Sequence, residues 1–178
     1  MTLTLISDSA REWGKAKFKD MQAAKGRRLS HRELAGFIGE AVVREYMERE
    51  LLLDAAHGPL YGNDLIVENC GVEVKTQTSP FAWRPSFWAW APGWKPDDQD
   101  AIVFTYMQIA QHDFESVLTA EYLRLRGWIA ETDTHGYPVL ARGSDTPLKD
   151  GDTLTCDVLQ VPDADLSPMI DFVEFCLP

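Results

Sequence analysis

The chain has too few cysteines, and too widely spaced, for a disulfide framework. Its three, Cys70, Cys156 and Cys176, are odd in number and far apart within 178 residues. They match neither paired bridges nor a CxxC metal site, so a reducing cytoplasm is the expected compartment. Histidine is also scarce. His31, His57, His112 and His135 show no HxxxH or HxH spacing, and each is expected to be structural or solvent-exposed rather than a metal ligand. Long apolar runs are missing: none approaches the roughly 18 to 20 residues of a membrane span, so no membrane partner is expected. The opening MTLTLISDSAREW lacks a basic start followed by a long apolar stretch, so no signal peptide is expected. There is no internal repeat or low-complexity linker. Ser116, Ser144 and the cysteines form no evident nucleophile–base arrangement.

Positive charge is in deficit too. The net charge of -11 argues against a protein that simply coats nucleic acid. The deficit is uneven. Residues 1–32 carry eight basic residues (Arg11, Lys15, Lys17, Lys19, Lys25, Arg27, Arg28 and Arg32) against three acidic ones, a local +5. The remainder carries -16. The asymmetry suggests a basic arm on an acidic body, or a solvated basic helix with no partner.

What is present fits one globular domain spanning residues 1–178, with a basic helical N-terminal arm at about 1–28. Residues 10–25 read as a helix, with Ser7, Asp8 and Ser9 as cap candidates and Gly26 as the stop. Ser30 and Glu33 form a capping-box pair that opens a second helix. Ala35, Ile38, Val42 and Tyr46 give it an apolar stripe to about Leu53. His57-Gly58-Pro59 is a break, and a hairpin follows at 64–78 with Asn69-Cys70-Gly71 as its turn. Phe87 to Trp90 reads as a short strand, Asp100 to Ile109 as a buried strand, and Leu125 to Glu131 as another. Residues 113–123 fit helix or strand equally, and 132–152 read as loop, with Pro147 and Gly151 among its breakers. Thr153 to Val161 reads as a strand and Asp165 to Phe175 as a closing helix. The order gives an α/β (α+β) domain with a central mixed sheet flanked by helices.

The hairpin carries the chemistry. In YGNDLIVENCGVEVKTQ, which begins at Tyr61, Asp64 stands on one apolar run and Glu73 and Lys75 on the next. Side chains alternate along a strand, so Glu73, Lys75 and Gln77 share one face and Val72, Val74 and Thr76 the other. Carboxylates on adjacent strands suit Mg²⁺, a hard cation that takes oxygen ligands, with the Val74 carbonyl between them as a further donor. A lysine on the same face can orient a water or offset developing charge.

This Asp-x8-Glu-x-Lys spacing resembles the PD-(D/E)xK nuclease superfamily, over roughly Ser30 to Gln77. The resemblance implies a restriction-endonuclease-like fold and a Mg²⁺-dependent deoxyribonuclease of phage or bacterial type, with Mn²⁺ as a substitute. It implies Asp64 and Glu73 as metal-binding acids, Lys75 as catalytic lysine and Gln77 as an accessory polar residue. Glu40, in GFIGEAVVREYM, matches the helix glutamate that often joins the metal site. Asn63 stands where the family's nominal proline lies. Glu40 is also about 140° round the helix from Ala35, at roughly 100° per residue, aimed either at a site flanking the core or at water.

Expected partners are DNA and a second copy of the chain, since two-strand cleavage needs two sites. Lys15, Lys19, Lys25, Arg27, Arg28 and Arg32 are the candidate DNA contacts, with Arg84 from the tryptophan-rich segment. That segment holds Trp83, Trp88, Trp90 and Trp94, which either fill the core or a dimer interface, or stack on bases with Arg84 and Lys95 meeting phosphates. Asp97, Asp98 and Asp100 read as a solvated turn. The acidic body also admits a different class of function, a non-catalytic binding protein on the same fold or an acidic DNA mimic that blocks another protein.

Overall fold

The computed structural model describes residues 2–59, 62–84, 88–93, 99–144 and 154–177. Expectations placed on Tyr61, Phe87, Trp94, Lys95, Asp97, Asp98, Pro147, Gly151 and Thr153 lie outside these residues. A short strand, β1 (Thr2–Leu5), leads into α1 (Asp8–Lys25) and α2 (His31–Glu50). Ser7 caps α1 by accepting the Ala10 N–H at 3.0 Å, and Gly26 ends it at φ 59 in the left-handed region. Ser30 and Glu33 form the expected reciprocal capping box on α2.

Six strands make the main sheet: β1, β2 (Ala55–His57), β3 (Leu65–Val67), β4 (Cys70–Ser79), β6 (Ala101–Gln108) and β7 (Tyr122–Ala130). Their order is β1-β7-β6-β4-β3-β2, with β4 and β6 parallel and the other pairs antiparallel. A second sheet, β5-β9-β8, is built from β5 (Trp88–Pro92), β8 (Val139–Leu140) and β9 (Val158–Pro162). Two short helices, α3 (Phe114–Thr119) and α4 (Phe172–Cys176), complete the described elements with three 3₁₀ turns. Among the described residues no helix is long and apolar enough to cross a membrane.

Alternation along β4 and β6 sorts the two faces. Val72, Val74, Ala101, Val103 and Met107 join Ala35, Ile38 and Val42 of α2 in the main core. Ile102, Phe104 and Ile129 point the other way and pack with Ala89, Ala91, Leu159 and Val161 of the small sheet. The register pairs Glu73 with Ile102, Lys75 with Phe104 and Gln77 with Tyr106, so the three polar side chains share this second face as alternation requires. Helix α2 lies very close to β4, because a Cβ on Gly39 would sit 2.0 Å from Thr76 Oγ1. Only glycine permits that approach, and it fixes the next residue, Glu40, beside the sheet.

Several local expectations are corrected. The hairpin turn is Glu68-Asn69, and Cys70 already pairs with Val67. Glu68 takes the left-handed conformation (φ 53), tied down because its N–H donates to the Asp54 carbonyl and its carboxylate accepts the Asp54 N–H. The break expected at His57 follows a strand, β2, which pairs antiparallel with β3. The helix expected over 165–175 is only α4, since the peptide before Pro168 disfavours helix and Ser167 instead exchanges backbone hydrogen bonds with Trp128. Residues 2–25 pack on the body: β1 pairs with β7, and α1 packs on α2 where a Cβ on Gly14 would meet Ile38 at 2.6 Å.

Candidate active site

Strand β3 is short, and its shortness opens the site. The last antiparallel pair is Leu65 with Val72, so one step further Asp64 falls opposite Glu73, past the end of the ladder. Asp64 Oδ2 accepts the Val74 N–H at 2.8 Å in place of a strand partner. In extended backbone the N–H and C=O of one residue point to the same side, so the Val74 carbonyl faces the same opening. The Lys75 ammonium donates to Glu73 Oε1, and their side chains are 19% and 24% exposed.

Glu40 reaches this opening from α2. Its side chain is 5% exposed and accepts a 2.5 Å hydrogen bond from Lys17 of α1. Lys17 is held between the rings of Trp13 (5.0 Å) and Phe37 (5.3 Å), a cation–π arrangement. Trp13 in turn stacks on His57 at 3.6 Å. Burial, together with Arg44 and Lys17, pulls His57 down to about 4, so the ring is neutral.

The carboxylates feel one another. Burial first, then the Asp64 charge and Glu73, push Glu40 up to about 8 against the opposing pull of Lys17. Burial and then Glu73 push Asp64 up to about 6, against the Val74 N–H, Lys75 and Lys17. Among the described residues no three Asp, Glu, His or Cys side chains stand close enough to cage a cation as they are. Lysines hold two of the three carboxylates instead: Lys17 on Glu40 and Lys75 on Glu73. The donors nevertheless suit Mg²⁺ or Mn²⁺, since all are oxygens, and burial followed by mutual repulsion raises the proton affinity of two of them.

A pH dependence follows. Glu40 has an ordinary value of 4.5 and a folded value of about 8, so across that interval the folded state holds a proton the unfolded state lacks. Asp64 does the same between 3.8 and about 6. A raised carboxylate makes stability fall as pH rises. In EDTA the melting temperature is expected to drop from about pH 6 to pH 8, and Glu40→Gln to flatten that slope and raise stability at about pH 8. Thermal melts across that range check it; a Glu40→Gln protein that loses stability equally at both ends contradicts it.

The remaining expected residues divide. Gln77 commits its carbonyl oxygen to Arg126 at 2.7 Å rather than to Lys75. Arg126 sits where β6 and β7 slip register, its side chain fully buried against Asp163, whose other oxygen accepts the Trp83 indole N–H at 2.8 Å. Of the basic set, Lys15 pairs with Glu12 and Arg27 with Glu33. Lys19, Lys25, Arg28, Arg32 and Arg84 are exposed. Arg11 and Lys17 are used internally, Arg11 donating to the carbonyls of Ile6 and Leu118. Trp88 is exposed and Trp90 half-buried. His31 and His112, far apart in sequence, have ring centroids 5.6 Å apart.

Sequence reasoning missed Lys17 and Arg126 as members. Lys17 was one charge in a basic run, with no local signal of the fold that turns it inward. Arg126 carried a signal: in YLRLRGW arginines alternate with leucines and a glycine follows, the pattern of a strand disturbed at that point. Comparison of the chain with protein-family models, with curated proteins and with solved structures finds no match to any of them.

Proposed function

We propose that this chain is a metal-dependent nuclease of the PD-(D/E)xK type, on a restriction-endonuclease-like fold, that hydrolyses DNA phosphodiester bonds. The observation that carries the reading is the meeting of Asp64, Glu73, Lys75 and Glu40 at the open end of β3. Asp64, Glu73 and the Val74 carbonyl would hold Mg²⁺ or Mn²⁺, with Glu40 assisting. When bound, the ion supplies charge that polarises a phosphate and lowers the pKa of a water. Lys75, on the strand face of Glu73, places an ammonium where negative charge develops on the phosphate. Lys19, Lys25, Arg28 and Arg32 offer the electrostatic contact with the DNA backbone, which weakens steeply with salt.

The test is incubation of plasmid and single-stranded DNA with the protein and Mg²⁺ or Mn²⁺, with EDTA as control. Nicking or degradation that needs the metal is expected. The absence of cleavage with either metal on both substrates overturns the proposal. The net charge of -11 favours a second reading, a non-catalytic binder or acidic DNA mimic acting on a basic protein. Metal-dependent cleavage that follows the purified protein rules that second reading out.

A further inference from the structure

A cleft of about 560 Å³ lies at the far end of β4 and β6, on the same sheet face as Glu73, Lys75 and Gln77. Its size falls within the roughly 300 to 1,000 Å³ usual for ligand sites. The buried Tyr106 ring lines it, with its hydroxyl donating to the Phe81 carbonyl. Trp83 forms one wall, and the Arg124 guanidinium lies over that indole at 4.9 Å from its centroid. Tyr122, 48% exposed, stands two residues from Arg124 on the same face of β7. Gln108 and Glu121 add polar rim groups.

Two features connect this cleft with the carboxylate site. The first is covered by register: Gln77, Tyr106 and Arg124 lie side by side on β4, β6 and β7. Two residues along a strand at ~3.3 Å each and two strand spacings of ~4.8 Å put Arg124 roughly 12 Å from Lys75. The second is the chain of hydrogen bonds, buried at its centre, from Gln77 through Arg126 and Asp163 to the Trp83 indole N–H. The wall of the cleft is thereby anchored to the strand that carries Lys75.

We propose that this cleft binds an unpaired nucleotide of the substrate strand, within about four nucleotides of the scissile phosphate at the ~3.4 Å rise of a stacked strand. The identity of that strand rests on the nuclease reading. The Trp83–Arg124 layer accepts an unpaired base as a third layer on the guanidinium plane, with the Tyr122 ring alongside. The guanidinium edge takes the adjoining phosphate, and the Glu121 carboxylate keeps phosphate from the opposite rim. A base held in a stacked pair cannot enter such a layer. The substrate class is therefore single-stranded or locally unpaired DNA.

The test separates this proposal from the one on which it rests. Fluorescein-labelled single-stranded oligothymidine of about a dozen nucleotides is titrated in EDTA, so no cleavage is needed, and anisotropy is read. Trp83→Ala and Tyr122→Ala are each expected to weaken binding by roughly 5- to 150-fold, the range of base–aromatic stacking. Arg124→Gln is expected to weaken it and to reduce the salt slope by ~0.7. Tyr122 lies at the rim, so its variant folds even where loss of the Trp83–Asp163 bond does not allow the other. With metal, a single abasic residue walked along the oligonucleotide should raise KM at one position in the wild type and not in Tyr122→Ala. Unchanged affinity in all three variants, or no sensitive position in a strand that is cut, overturns the cleft proposal while leaving the nuclease standing. Weakened binding without any cleavage does the reverse.

Discussion

Lys75→Ala and Glu73→Ala are each expected to reduce metal-dependent cleavage by ~10²- to 10³-fold, the scale of loss when one preorganised group that stabilises transition-state charge is removed. Their effects should differ in kind. Glu73 is a proposed metal donor, so Glu73→Ala should weaken metal affinity as well as rate. Lys75 donates to Glu73, so its loss frees that carboxylate and should leave metal binding unchanged or tighter while the rate falls. Titration calorimetry with Mn²⁺, set beside single-turnover cleavage, reads the two effects separately. Both side chains keep partial exposure, so truncating either leaves a partner that water can reach, and melting temperatures should stay near wild type. If both variants cut DNA as fast as the wild type, the carboxylate site is not the active site.

Much of this arrangement was legible in the chain itself. The alternation Val72-Glu73-Val74-Lys75-Thr76-Gln77 reads directly as two faces, and the fold puts Val72 and Val74 in the main core, Thr76 beside Gly39 of α2 on the same face, and the odd-numbered residues opposite. Both helix starts were legible because capping is local chemistry, a serine hydroxyl accepting a nearby free N–H. Glu40 was legible as a candidate, but its position off the apolar stripe left both core flank and solvent open. What decided between them is non-local: Gly39 against Thr76 brings α2 down on the sheet, and Lys17 arrives from another helix to pair with the carboxylate. A basic run in sequence cannot say which lysine turns inward, since that depends on Gly14 meeting Ile38 across the helix pair. The turn at Glu68-Asn69 was misplaced for the same reason. Asn-Cys-Gly has the better local turn chemistry, but a pair of hydrogen bonds to Asp54 outweighs it. The closing segment carries a short apolar pattern that looks helical, but Pro168 lies inside it and confines the helix to α4.

The pair Arg126–Asp163 should govern stability as the proposed site residues Glu73 and Lys75 should govern rate. Asp163→Ala is expected to destabilise the fold by about 3 to 5 kcal/mol, because it leaves an uncompensated buried charge. Neither side chain has more than 1% exposure, so water cannot replace the lost partner. Burial already pulls Arg126 below its ordinary value, with Asp163 as the chief opposing influence, so removing Asp163 leaves burial less opposed. At ~2 to 4 °C per kcal/mol for a chain of this size, the melting temperature should fall by roughly 10 °C. The loss should not fall on the pair alone. Trp83 loses the acceptor of its indole N–H, and Gln77 keeps as partner an arginine no longer fixed from its other side. The double substitution Arg126→Met with Asp163→Leu should recover most of the stability, since apolar replacement of a buried ion pair is often neutral. It should not restore oligonucleotide affinity at the cleft, because the Trp83 anchor stays missing. Denaturant melts of Arg126→Met, of Asp163→Leu and of the double variant give the coupling directly. An Asp163→Ala protein as stable as the wild type would mean that the pair carries no weight in the fold.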